Sequence, residues 1–231
     1  METILNESVP HVGELIFKHS SDQALLQYRL LSKFCKELAE TILIERWKRH
    51  FENGSYVGSE HVPALKFLLN QQEPKNIEIN ARYSNGYTAF MRACVGGKVD
   101  VVKVMLESLE CSERNGIDLN ATDNDGKTAF MKACIDGKVE VMKLLLECTE
   151  RNGIDLNATD NDGKTAYIWA MYVGHNGVIP LIMQHSRQQN IDLNALDRHG
   201  LSGLDYAFLE AMNGGSSIFA SVPNNIDVNI N

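Results

Sequence analysis

Residues 113–129 read Glu113-Arg-Asn-Gly-Ile-Asp-Leu-Asn-Ala-Thr-Asp-Asn-Asp-Gly-Lys-Thr-Ala129, and residues 150–166 repeat the same seventeen-residue string without a change. A copy of that length makes the chain an array. Short repeats bury apolar surface only against neighbouring copies, which leaves long exposed faces suited to recognition. The duplication points to binding rather than catalysis before any single side chain is considered.

Outward from the copies, turn glycines Gly86, Gly126, Gly163 and Gly200 recur at intervals of 40, 37 and 37 residues. A helix-start signal follows each: Tyr87-Thr88-Ala-Phe-Met-Arg-Ala-Cys94, Lys127-Thr128-Ala-Phe-Met-Lys-Ala-Cys134, Lys164-Thr165-Ala-Tyr-Ile-Trp-Ala-Met171, and the weaker Leu201-Ser202-Gly-Leu-Asp-Tyr-Ala-Phe208. A Thr or Ser hydroxyl at that place caps the unpaired N–H groups of a first turn. Gly-containing turns at 96–98, 136–138 and 174–176 then lead into second helices with apolar residues at helical spacing, such as Val139, Val141, Met142, Leu145 and Leu146. Each unit closes with Ile-Asp-Leu-Asn, at 117–120, 154–157 and 191–194.

These residues resemble the ankyrin repeat, a unit of a β-turn and two helices. The pattern Asp-x-x-Gly-x-Thr-Ala-Phe…Ala…Gly…Val-x-x-Leu-Leu…Asp-x-Asn covers residues 80–210, with four successive units in register. Two departures stand out. The family's Thr-Pro-Leu-His is Thr-Ala-Phe-Met here, and the units are longer, the surplus falling between second helix and arm. Longer second helices or larger loops are therefore expected.

The first sixty residues do not share the repeat. Val9-Pro10-His-Val-Gly-Glu-Leu-Ile-Phe17, followed by Leu25-Leu26-Gln-Tyr-Arg29-Leu-Leu31-Ser32-Lys33-Phe-Cys35, resembles an F-box. It departs from that family where Val9 replaces Leu, Ser20 stands at a common Leu position and Cys35 occupies a Trp position. The bland alternative is a three-helix packing module that caps the array. The resemblance implies docking onto the small adaptor subunit of cullin-type ubiquitin ligases, with Pro10, Leu15, Ile16, Phe17, Leu25, Leu26, Leu30 and Leu31 supplying or supporting the apolar contacts.

The expected fold is an all-α ankyrin-repeat solenoid preceded by a small helical F-box-like module. Residues 1–52 form that module, 53–79 a linker with a degenerate capping helix, and 80–231 the repeats, the last one truncated. A helix over 41–51 would pair with the second-helix signal at 61–70. At the other end, Asn225-Ile-Asp-Val-Asn229 copies the arm at 190–194. Only 217–222 is left to serve as an outer cap, which favours a fragment or variant isoform.

Composition narrows the function classes. The net charge of −8 divides into seven basic against nine acidic residues over 1–60, and fifteen against twenty-one over 61–231. An acidic array argues against phosphate-backbone binding. The start, Met1-Glu-Thr-Ile-Leu-Asn-Glu7, lacks signal-peptide character, and no apolar run approaches a membrane span. Sequons at Asn6, Asn53, Asn120 and Asn157 are then accidents of Asn-rich turns. Five cysteines without a Cys-x-x-Cys pair suit free thiols in a cytoplasmic or nuclear chain, with Cys94 and Cys134 as small buried hydrophobes. Asp160-Asn-Asp-Gly163 lacks the Glu that a calcium loop requires, the seven histidines show no metal spacing, and no nucleophile meets a base. No cofactor and no enzymatic activity are expected.

In ankyrin proteins the turn tips and first helices line a groove. Carried over by register, the candidates here are Ser84, Asn85 and Tyr87; Asn124, Asp125 and Lys127; Asn161, Asp162 and Lys164; and Arg198 and His199. Val95, Ile135, Asp136, Tyr172 and Val173 lie near the first-helix ends. Tyr87 and Tyr172 are the favoured anchors, with Trp169 behind them, because aromatic side chains carry disproportionate binding energy. The expected partners are a ligase adaptor subunit and an unidentified target protein, neither nucleic acid nor membrane, with the chain a monomer outside its complex.

Overall fold

The structure, a computed structural model, describes residues 20–21, 24–25, 41–46, 49, 62–69, 79–111 and 116–212. Within them the helices are α1 (Val62–Leu69), α2 (Ala89–Val95), α3 (Val99–Cys111), α4 (Ala129–Ile135), α5 (Val139–Asn152), α6 (Ala166–Val173), α7 (Ile179–His185) and α8 (Gly203–Met212). No strand occurs among the described residues, only an isolated bridge between Thr122 and Thr128.

Two layers result. The first helices stack in the order α2, α4, α6, α8, and the second helices in the order α1, α3, α5, α7. Small residues make the first layer close. Ala93, Cys94, Ala133, Cys134 and Ala170 on these helices are buried, and Phe90, Phe130 and Tyr167 share the same core. Burial pushes the thiols of Cys94 and Cys134 well above the usual range, so they pack as neutral apolar groups.

The expected caps form. The hydroxyls of Thr88, Thr128 and Thr165 each accept the N–H three residues on, at 3.3 Å. Ser202 makes a reciprocal cap: its hydroxyl accepts from the Asp205 N–H at 3.3 Å, and the Asp205 carboxylate accepts from the Ser202 N–H at 2.7 Å. The weakest start in the sequence thus has the fuller capping arrangement.

Both routes for the extra residues are used. α3 and α5 run to 13 and 14 residues, whereas α7 has 7 and hands over to the turn at 186–190. Residues 41–46 are helical, with Ile42 and Leu43 buried beside α1 in the same apolar core as the array. Leu25 also belongs to that core and is fully buried. Pro10, Leu15, Ile16, Phe17, Leu26, Leu30 and Leu31 lie outside the described residues, as does the arm at 225–229.

Candidate protein-binding groove

Three of the four fingers are built around one carboxylate, and the first has Tyr83 in its place. Asp123 Oδ1 accepts the N–H groups of Asp125 (3.0 Å) and Lys127 (2.8 Å). Asp160 does the same for Asp162 and Lys164, and Asp197 for His199 and Leu201. The second oxygen of each carboxylate reaches the first helix nine residues later. Asp123 meets the Lys132 ammonium at 2.6 Å, Asp160 accepts from Trp169 Nε1 at 2.8 Å, and Asp197 accepts from the Tyr206 hydroxyl at 2.6 Å. Finger and helix are thereby held at a fixed angle.

Neighbouring fingers are joined through their backbones. The N–H groups of Asn124, Asn161 and Arg198 donate to the carbonyls of Asn85, Asp125 and Asp162, at 3.1, 3.0 and 2.9 Å. The glycines permit this approach: a Cβ on Gly126, whose φ is +81°, would lie 2.5 Å from Asn161 Oδ1. At the opposite edge the arms form an asparagine ladder. Asn120 Oδ1 accepts from the Asp155 N–H and its Nδ2 donates to the Gly153 carbonyl, both at 2.8 Å. Asn80 and Asn157 make the same pair of bonds to the arm that follows each.

Among the expected groove residues, Ser84, Asn85, Asn124, Asp125, Asn161, Asp162, Arg198 and His199 are exposed along the finger tips. Ile135 is half-buried and its carbonyl receives His175 Nε2 at 2.6 Å, while Asp136 is exposed at the C-cap of α4. Tyr172 and Val173 stand open at 45% and 40% exposure. Tyr87 is half-buried under two cations, Lys132 at 4.7 Å and Arg92 at 5.2 Å from the ring centroid.

Two lysines differ from expectation. Lys164 is buried: its ammonium sits 3.4 Å from Asp197, over the rings of Trp169 and Tyr206. Lys127 keeps only 14% of its side chain exposed, over Trp169 and 3.1 Å from Asp125. Register placed both at the finger tips, but aromatic faces and carboxylates draw both long side chains inward. Burial works against the charge of Lys164, yet Tyr206 and Asp197 outweigh it and raise its pKa. Burial likewise opposes ionisation of Asp197, and the hydrogen bonds from Tyr206, Leu201, His199 and Lys164 overcome it and hold the carboxyl down at about 2.

Residues 111–197 hold ankyrin repeats. The family model for ankyrin repeats matches residues 111–197 in three copies. No match is found among curated proteins. Ankyrin repeats are a protein–protein interaction module, so this chain carries a surface for a protein partner. Among the described residues no helix is long and apolar enough to cross a membrane, and no group of His, Cys, Asp or Glu is placed to hold a metal ion.

Arg92, Lys132 and Tyr206 had no place among the expected groove residues, whereas Trp169, at the same register in its unit, stood there behind Tyr87 and Tyr172. The signal for them is an acidic residue followed nine positions later by a side chain able to reach it, as in Asp123/Lys132, Asp160/Trp169 and Asp197/Tyr206. Trp169, Tyr172 and Tyr206 form a continuous aromatic run, with edge-on contacts at 5.5 and 5.2 Å between centroids.

Proposed function

We propose that the chain is a non-enzymatic substrate receptor that links a target protein to a ubiquitin ligase. The ankyrin array, residues 80–231, would capture the target between fingers and first helices. Residues 1–52 would dock as an F-box on the adaptor subunit of a cullin-type ligase, with 53–79 connecting the two. The receptor would work in the cytoplasm or nucleus and be a monomer outside its complex.

Support comes from the company the motifs keep: an F-box-like run over residues 9–35 followed by an interaction array is the order in which such receptors are built. The open Tyr172 and Val173 beside fixed fingers supply the capture surface. The test is co-purification of the adaptor subunit with the full chain and with an Ile16→Asp/Phe17→Asp variant of unchanged helical content. Wild-type capture reduced at least about tenfold in the variant supports the link; no capture by the wild type removes it. Charge reversal at Asp125 and Asp162 should weaken target capture at low salt while leaving adaptor binding intact.

A second reading, a free-standing ankyrin scaffold or inhibitor with no ubiquitin link, draws on Leu25. Its full burial in the chain's own core is what a capping helix requires. For that reason Leu25→Ala is a poor probe of docking, since it would disturb the core as well.

A further inference from the structure

One apolar or aromatic residue per unit recurs at the same register of each first helix: Val95, Ile135, Tyr172 and Leu209, the last of them three residues before the end of α8. Their intervals of 40, 37 and 37 match those of the finger glycines, so they form a row across the stacked helices. The row opens along its length. Val95 and Ile135 are half-buried, whereas Tyr172 and Leu209 are each 45% exposed. It runs beside the fingers, since Tyr172 packs edge-on against Trp169, whose indole N–H is held by Asp160.

Charge is layered around this row. The side chains of Lys127, Lys132 and Lys164 are 14%, 13% and 10% exposed, each ammonium facing a carboxylate and an aromatic ring. The carboxylates of Asp125 and Asp162 are 69% and 51% exposed, and Asp136 is also open. Of the cations in those two fingers and the next, only Arg198 is exposed, and it pairs with Asp162 at 3.3 Å. A partner entering the middle of the groove therefore meets carboxylates before ammonium groups.

We propose that the groove takes an extended, polyproline-like segment bearing a bulky apolar residue at every third position, with Lys or Arg between. This rests on the receptor role of the groove and names the class of target segment it fits. Packed helices lie about 8–10 Å apart, and a polyproline helix turns once in three residues, about 9.3 Å. One apolar side chain per turn then falls on each helix end in succession. A β-strand presents one face about every 6.6 Å and loses step with the row after one unit; an α-helix returns to the same face only after two turns, about 10.8 Å, and drifts from the row as units are added. The intervening basic residues would face Asp125, Asp136 and Asp162.

The test is selection of short random peptides displayed on phage against the full chain, followed by fluorescence anisotropy with the selected peptides. The expected consensus has apolar residues three apart with Lys or Arg between them. Tyr172→Ala should weaken binding by at least about tenfold, and Asp125→Asn with Asp162→Asn should weaken it and flatten its salt dependence. A two- or seven-residue spacing, or an acidic consensus, overturns the inference while leaving groove binding in place. Peptides indifferent to all three substitutions, or no selected binders, would unseat the groove assignment as well.

Discussion

At the scale of single residues, the finger sets the most demanding conditions. Gly126 holds a left-handed φ and leaves no room for a Cβ beside Asn161. Gly126→Ala should therefore cost about 1–3 kcal/mol, read as a lower denaturation midpoint with an unchanged slope. Asp197 supplies a pH signature. Its carboxyl is held at about 2 against an ordinary 3.8, so the stability it provides is complete above about pH 4 and is lost as pH falls through about 2. Asp197→Asn should cost about 1.5–3 kcal/mol near neutrality, and its melting temperature should fall less than that of the wild type between pH 4 and pH 2. Equal slopes for the two proteins in that window would assign the acid loss to other groups. The fingers' glycines and Thr caps were legible because spacing and turn chemistry are local signals. The inward turn of Lys127 and Lys164 was not, because the aromatic faces that attract them come from Trp169 and Tyr206 on helices brought close only by folding.

At the scale of the element, the arms tie one unit to the next. Asn120 closes both ends of a bridge to the arm beginning at Gly153, and Asn120→Ala leaves a donor and an acceptor unmatched. A loss of about 0.5–1.5 kcal/mol is expected, with faster amide exchange at Asp155 as the local readout. Unchanged exchange there would show that water replaces the bridge without cost. The recurring Ile-Asp-Leu-Asn marked these arms in the sequence, but the role of its last residue emerged only with the neighbouring unit in place. Second-helix length was legible only as a surplus: α5 absorbs it as helix, whereas the chain after α7 spends it in a turn.

At the scale of the whole molecule, one apolar core runs from Leu25 and Leu43 through the stacked helices to Ala207. Continuity of that kind couples neighbouring units. Ellipticity and tryptophan fluorescence should therefore report one unfolding transition with coincident midpoints. Two resolved transitions would show that part of the stack melts by itself. Repeat architecture was the most legible property of the chain, because a duplicated string constrains every copy at once. The groove was legible as a location and less so as a chemistry. Its tips could be placed by register, but the exposed row ending at Tyr172 and Leu209 depends on how far each side chain is covered by the next helix.

The two identical segments also make the groove adjustable in length. Gly126-Lys127 and Gly163-Lys164 are the same junction, so excising residues 127–163 would join Gly126 to Lys164 through a sequence the chain already contains. The carbonyl of Asp125, which now receives Asn161, would be placed to receive Arg198 as Asp162 does. Nothing in the finger, cap or arm would have to be redesigned. The protein is in this respect a ruler graduated in whole units of about 10 Å, and the number of marks sets how long a segment it can measure.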